Sequence, residues 1–63
     1  MVELNEQICW IVREVNKRGR RINKDKMTRQ LIANGNKKSD IDKALKELMY
    51  SGKITDNEGL IIN

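Results

Sequence analysis

The chain has 63 residues, of which 13 are Lys or Arg and nine are Asp or Glu, so its formal net charge is +4. This length supports one domain at most, which we assign to residues 1–63, and we expect its stability to be marginal. The chain has one Cys and no His, and no apolar run approaches the roughly 18 residues of a membrane span. These features predict an intracellular, cytoplasmic protein without a disulfide framework, metal, cofactor, signal peptide or membrane anchor.

The first predicted helix covers residues 5–18 and has a single apolar face. Asn5 is a candidate N-cap, and Gly19 ends the helix because glycine accepts the left-handed conformation that follows many helices. Apolar residues recur at the spacing i, i+4, i+7, i+8, i+11, which is typical of one helix face. They are Leu4, Ile8, Ile11, Val12 and Val15.

The second predicted helix covers residues 24–34. Residues 20–22 allow only a short extended segment before Asn23, whose side chain suits an N-cap. The Asn-Gly-Asn run at 34–36 ends the helix, since these residue types tolerate the left-handed region. The predicted core residues of this helix are Met27 and Leu31.

The third predicted helix begins at Ser39 and ends at Gly52. The run from Ser39 to Asp42 resembles a capping box in which Asp replaces the usual Glu or Gln. One arc of this helix is apolar and is expected to face the core. It consists of Ile41, Ala44, Leu45, Leu48 and Met49.

The pattern changes after the third helix. Two short runs, 53–55 and 60–62, flank the turn-forming tetrad at 56–59, and this arrangement predicts a β-hairpin. A simple three-helix bundle with a disordered tail is the competing interpretation, but it would leave the apolar residues 60–62 in water.

The run ALKELMYSGKI, followed by a turn and GLIIN, resembles the passage from helix 3 to the wing of winged helix-turn-helix proteins. The resemblance covers nearly the whole chain and implies a small α+β fold of three helices, a short strand and a C-terminal hairpin wing. It also implies binding of double-stranded DNA, because helix 3 of that family usually enters the major groove. MTRQL with IDKALKEL resembles the branch that binds Z-form nucleic acid. Asp42 and Lys46 replace that branch's Asn and Tyr, and the wing lacks its Trp, so we interpret this likeness as a shared scaffold.

Positive charge is concentrated in residues 17–38, which hold nine basic residues and one acidic residue, a net charge of +8. The remainder of the chain therefore has a net charge of −4. Concentrated positive charge attracts polyanions, so nucleic acid is the first expected partner. The alternative is a solvated face that keeps a small protein in solution.

Four residues of helix 3 lie within about 40° of the pole opposite its core arc. By the resemblance they form the base-reading face: Ser39, Lys43, Lys46 and Tyr50. Phosphates would be bound by Lys24, Lys26, Lys37 and Lys38. Asp40 and Asp42 are expected in the first turn, where the helix dipole favours negative charge. The wing tip at 56–59 is acidic, and we expect no phosphate contact there.

Trp10 lies about 160° from the centre of the helix 1 core arc, in line with Arg13 and Lys17. Because Trp is enriched among interface anchors, these three residues are the predicted partner interface, in a homodimer or with another protein. In the alternative interpretation, Trp10 covers the C-terminal segment near Ile62, with Arg13 against its ring.

The sequence contains no catalytic constellation, since it lacks a His base, a second Cys and a phosphate-binding glycine run. We therefore predict no enzyme activity and no small-molecule substrate. The predicted function is a small, homodimeric transcriptional or replication regulator that binds double-stranded DNA. The rival is a protein-interaction module that uses helix 1 without binding DNA. RNA binding by residues 17–38 is a third interpretation, for which only Trp10 and Tyr50 could stack on bases.

Overall fold

Three α-helices precede a two-stranded antiparallel hairpin in the computed structural model, which describes residues 3–63. The helices are α1 (Leu4–Lys17), α2 (Lys24–Ala33) and α3 (Lys38–Tyr50), and the strands are β1 (Ile54–Asp56) and β2 (Leu60–Ile62). The predicted α+β class and the hairpin are confirmed. The bundle with a disordered tail is wrong, because both strands contribute side chains to the core.

The core lies where the three helices meet the hairpin. Full burial of an aliphatic side chain contributes about 1.5–3 kcal/mol, so this set supplies most of the driving force for folding. The buried residues are Ile8, Ile11, Val12, Ile22, Met27, Leu31, Ile41, Ala44, Leu45, Leu48, Ile54 and Leu60. Within residues 3–63 no polar or charged side chain is buried. Any polar recognition by this part of the chain therefore takes place at the surface.

The predicted extended segment between α1 and α2 is reduced to one bridging residue. Ile22 forms an antiparallel bridge with Leu60, whose N–H donates to the Ile22 carbonyl oxygen at 2.8 Å. The segment stops there because Asn23 caps α2, its Oδ1 accepting the Lys26 N–H at 2.7 Å. The predicted Asn23 cap is confirmed.

Asn16 takes the place along β2 that a longer third strand would fill. Its Nδ2 donates to the carbonyl oxygens of Leu60 and Arg20, both at 3.1 Å. Its Oδ1 accepts the Ile62 N–H at 2.9 Å. One helical side chain and the Ile22 bridge thus satisfy the edge of β2 that faces away from β1, and they fasten α1 to the hairpin.

Arg21 contacts the hairpin turn at two points. Its Nη1 donates to the Asn57 carbonyl oxygen at 2.6 Å. Gly59 has a φ of +125°, and a Cβ at this position would lie 2.5 Å from the Arg21 Cβ. The turn therefore requires glycine both for its backbone conformation and for the close approach of Arg21.

Helix α1 begins at Leu4, one residue earlier than predicted, with Glu3 at the N-cap. Asn5 consequently lies inside the helix, and its predicted capping role is wrong. The start is extended because Leu4 packs against the core, and the Glu3 carbonyl oxygen accepts the Gln7 N–H at 3.0 Å. Tertiary packing here outweighs the local preference of Asn for the cap.

Helix α3 begins at Lys38 with Lys37 at the N-cap and no side-chain cap, so the predicted capping box that starts at Ser39 is wrong. Asn36 explains the earlier start. Its backbone N–H and its Nδ2 donate to the Leu31 carbonyl oxygen at 3.1 and 3.0 Å, which ties the loop to the end of α2. Because the helix begins at Lys38, Asp40 lies in its first turn as expected, but the expectation that Asp42 also lies there is wrong.

Candidate nucleic-acid interface

The outward stripe of α3 is exposed, and its Tyr50 side chain is 96% exposed. The stripe consists of Ser39, Lys43, Lys46 and Tyr50. The opposite arc of the helix is buried in the core, which orients the stripe away from the protein body. These four side chains are therefore free to meet a large ligand.

The predicted reading face is divided into two parts by its surroundings. Lys46 and Tyr50 border a shallow depression together with Met49 and Glu47. Lys43 borders a different depression, where Asp40 and Glu47 also lie. Lys46 and Tyr50 thus form the less acidic half of the stripe, while Lys43 lies beside two carboxylates.

The predicted phosphate-binding lysines are all exposed, and they lie near the amino ends of α2 and α3. Lys37 and Lys38 adjoin each other at the amino end of α3, and Lys24 is the first residue of α2. Lys26 lies two positions further along α2, roughly 200° around the helix, and borders a groove on the α1 side. Lys26 is thereby separated in direction from Lys24.

The basic side chains are largely free of acidic partners. Lys17 and Glu14 form an ion pair at 3.5 Å, and it is the one ion pair within residues 3–63. Both groups are partly exposed, so the pair contributes little to stability. The positive charge of α2 and α3 therefore remains available to an anionic ligand.

Trp10 is 61% exposed on the outer side of α1. It borders two adjoining grooves between α1 and α2, and Arg13 shares one of them, of about 640 Å³. Arg13 also borders a third depression together with Lys17 and Ile62. Of the three residues of the predicted partner interface, Arg13 is therefore the one that borders both a Trp10 groove and the depression of Lys17. Ile62 borders a depression that Trp10 does not reach.

Three arginines that follow α1 were missed as individual site residues. Arg18, Arg20 and Arg21 border the second Trp10 groove, of about 510 Å³, together with Lys26. The sequence places one of them near Trp10, because Trp10, Glu14 and Arg18 have the spacing i, i+4, i+8 of one helix face. The reversal of the chain after α1, which brings the later arginines to the same groove, carries no such periodic signal.

Comparison of the chain with protein-family models, curated proteins and solved structures gives no match. Residues 3–63 contain no helix that is long and apolar enough to span a membrane. The same residues contain no cluster of His, Cys, Asp or Glu suited to a metal ion. The exposed charges and grooves of residues 3–63 are therefore the features that point to a function.

Proposed function

We propose that the protein is a winged helix-turn-helix domain that binds double-stranded DNA and acts as a small, homodimeric transcriptional or replication regulator. The order of elements supports the proposal: three helices, a single bridging residue after α1 and a C-terminal hairpin. The observation that carries it is the exposed, ion-pair-free positive charge on the outer face and at the amino end of α3, within residues 3–63.

In this proposal α3 lies in the major groove, which is wide enough to admit an α-helix. Lys46 and Tyr50 reach base edges, and Lys46 donates to guanine O6 or N7. Ser39 and Lys43 complete the reading face, with Lys43 the weaker contributor because Asp40 and Glu47 border the same depression.

Phosphate contacts come from Lys24, Lys37 and Lys38, which flank the amino ends of α2 and α3. These contacts fix the orientation of the domain on DNA without reading sequence. The hairpin turn carries Asp56 and Glu58 and has no basic residue at its tip. It therefore stays away from the phosphate backbone.

Replacement of single lysines tests which of them contact bases and which contact phosphates. Lys46→Ala should lower the preference for a selected site over random duplex, with a loss of about 1–3 kcal/mol at the affected base pair. Lys37→Ala should weaken binding to all duplexes and reduce the salt dependence. Lys53→Ala is the matched control, since it removes one exposed lysine that lies outside the predicted sites. Equal effects of all three changes in fluorescence anisotropy would contradict the assignment.

A second candidate function, a protein-interaction module that uses α1, is favoured by the exposure of Trp10. A Trp that is 61% exposed beside a groove of about 640 Å³ is typical of an interface anchor. In this alternative, Trp10→Ala abolishes self-association or partner capture, and duplex DNA is not bound. Anisotropy of labelled duplex DNA distinguishes the two functions, because only the first predicts binding. Sedimentation of the wild type and this variant, with Tyr50→Ala as the control on α3, tests the interface at Trp10.

A further inference from the structure

The second Trp10 groove combines an exposed aromatic ring with a cluster of cations. It lies between α1, the segment that follows α1, and α2, and its volume is about 510 Å³. Trp10, Arg18, Arg20 and Lys26 border it, and Gln30 adds an exposed amide. We call this set of five residues the arginine groove.

The backbone of the arginine groove is held in place by the end of α1. The N–H groups of Arg18 and Arg20 donate to the Val15 carbonyl oxygen at 3.1 and 3.2 Å. The Arg20 carbonyl oxygen accepts a hydrogen bond from the Asn16 Nδ2. Gly19 between them has a φ of +73°, which reverses the chain. The two arginines thus project from a fixed turn, so the backbone of this segment need not be ordered when a ligand binds.

The charges of the arginine groove are available to a ligand. Arg18, Arg20 and Lys26 are exposed and form no ion pair within residues 3–63. Arg21 also borders the groove, but its Nη1 donates to the Asn57 carbonyl oxygen. The bordering carboxylate is Glu14, which is paired with Lys17. The groove therefore carries four positive charges without an acidic partner beside one exposed indole, and three of them belong to side chains that are free to bind phosphate.

We infer that the arginine groove binds single-stranded nucleic acid. One base stacks on Trp10, and the phosphates on either side of it are held by Arg18, Arg20 and Lys26. Gln30 offers a donor and an acceptor to the edge of the stacked base. This site is separate from α3 and does not depend on the proposed duplex binding. It replaces the predicted partner interface at Trp10, because one indole cannot be covered by a second protein and stack on a base at the same time.

A single strand fits these features better than the other polyanions. A duplex keeps its bases stacked inside, so it offers phosphates but no base face to the indole. An acidic peptide offers carboxylates but lacks a regularly placed aromatic face. The adjacency of Trp10 to guanidinium groups, which bind phosphate and stack on planar rings, matches the alternation of base and phosphate along a single strand.

Tryptophan fluorescence tests the inference directly, because Trp10 is the one Trp of the chain. An oligothymidylate of about 10 nucleotides, within the size range that a small domain covers, should quench the Trp10 emission in a saturable manner. Three phosphate contacts predict a salt slope of about −2, so the affinity should fall about 20-fold between about 50 and 200 mM salt. Absence of saturable quenching at the lower salt would overturn the inference.

Variants separate the base contact from the phosphate contacts. Trp10→Ala should weaken binding of a labelled oligothymidylate about tenfold, whereas Trp10→Phe should retain much of the affinity. Arg18→Gln together with Arg20→Gln should reduce the salt slope to about −0.7. Lys53→Gln, which removes an exposed charge outside both proposed sites, should change neither. Full affinity in Trp10→Ala, with the helical circular dichroism preserved, would contradict stacking.

Titration with two other polyanions tests whether the groove prefers single strands. Poly-glutamate and a fully paired DNA duplex, each at the same charge concentration as the oligothymidylate, should leave the Trp10 emission nearly unchanged. Equal quenching by either of them would overturn the assignment to single strands. Duplex binding through α3 is read separately by anisotropy of labelled duplex, so failure of one site is distinguishable from failure of the other.

Discussion

Asn16 connects α1 to the hairpin, so its replacement by Ala should destabilise the protein strongly. The substitution removes three hydrogen bonds, to the Leu60 and Arg20 carbonyl oxygens and from the Ile62 N–H. Each contributes about 1 kcal/mol net, and the gain in helix propensity from Asn to Ala returns only about 0.5 kcal/mol. We therefore expect a loss of about 2–3 kcal/mol, a large part of the roughly 3–9 kcal/mol typical of a domain of this length.

Thermal and urea unfolding followed by circular dichroism measure this loss. For a domain of this size it corresponds to a decrease in Tm of about 10–20 °C. Asn5→Ala is the matched control, because Asn5 lies on the same helix and makes no side-chain hydrogen bond recorded within residues 3–63; its Tm should not fall. Asn16→Asp keeps the size of the side chain but loses the donor to the two carbonyl oxygens, so it should also destabilise. An Asn16→Ala variant within about 0.5 kcal/mol of the wild type would refute the role of this residue in fixing the hairpin.

Further substitutions test the turn, the helix caps and the reading face. Gly59→Ala should cost about 1–3 kcal/mol in urea unfolding, because φ is +125° and the added Cβ meets the Arg21 side chain; an unchanged midpoint would contradict the close approach. Asn23→Ala should cost about 1 kcal/mol through loss of the α2 cap, whereas Ser39→Ala should cost almost nothing because Ser39 does not cap α3. A larger effect at Ser39 than at Asn23 would reverse the assignment of caps. Lys46→Ala should leave the unfolding midpoint unchanged, so that any loss of DNA binding reports on recognition alone.

The elements of the fold follow from local sequence patterns. The apolar spacing of each helix identified its buried face, and the change of pattern after Gly52 identified the hairpin. The Asn23 cap was also predictable, because a cap bond spans only three residues. These features depend on neighbours in the chain, which the sequence displays directly.

The features that were missed depend on particular hydrogen bonds of loop and helix side chains. The start of α3 is set by Asn36, which bonds back five residues to Leu31, and this loop geometry outweighs the preference of Ser39 for the cap. Asn16 has the pattern of an ordinary helical residue, and two of its three hydrogen-bond partners lie more than 40 residues away. No periodic pattern encodes such contacts.

The two candidate sites also differ in whether the sequence predicts them. The outward stripe of α3 was predictable from helical geometry, because it is the complement of a regular apolar arc. The arginine groove was not, since the turn at Gly19 brings Arg20 and Lys26 to the side of α1 that carries Trp10. The exposed charges of a small domain are thus easier to predict than the surfaces that they share.

Titration of the protein into labelled random duplex DNA tests the proposed function most directly. With Lys24, Lys37 and Lys38 on phosphates, the anisotropy should report a salt slope of about −2.7, a loss in affinity of about 40-fold between about 50 and 200 mM salt. Lys37→Ala should reduce that slope to about −1.8, and Lys53→Ala should leave it unchanged. No binding of duplex at the lower salt, or a slope that the Lys37→Ala change does not alter, would contradict the proposal that the amino end of α3 holds DNA.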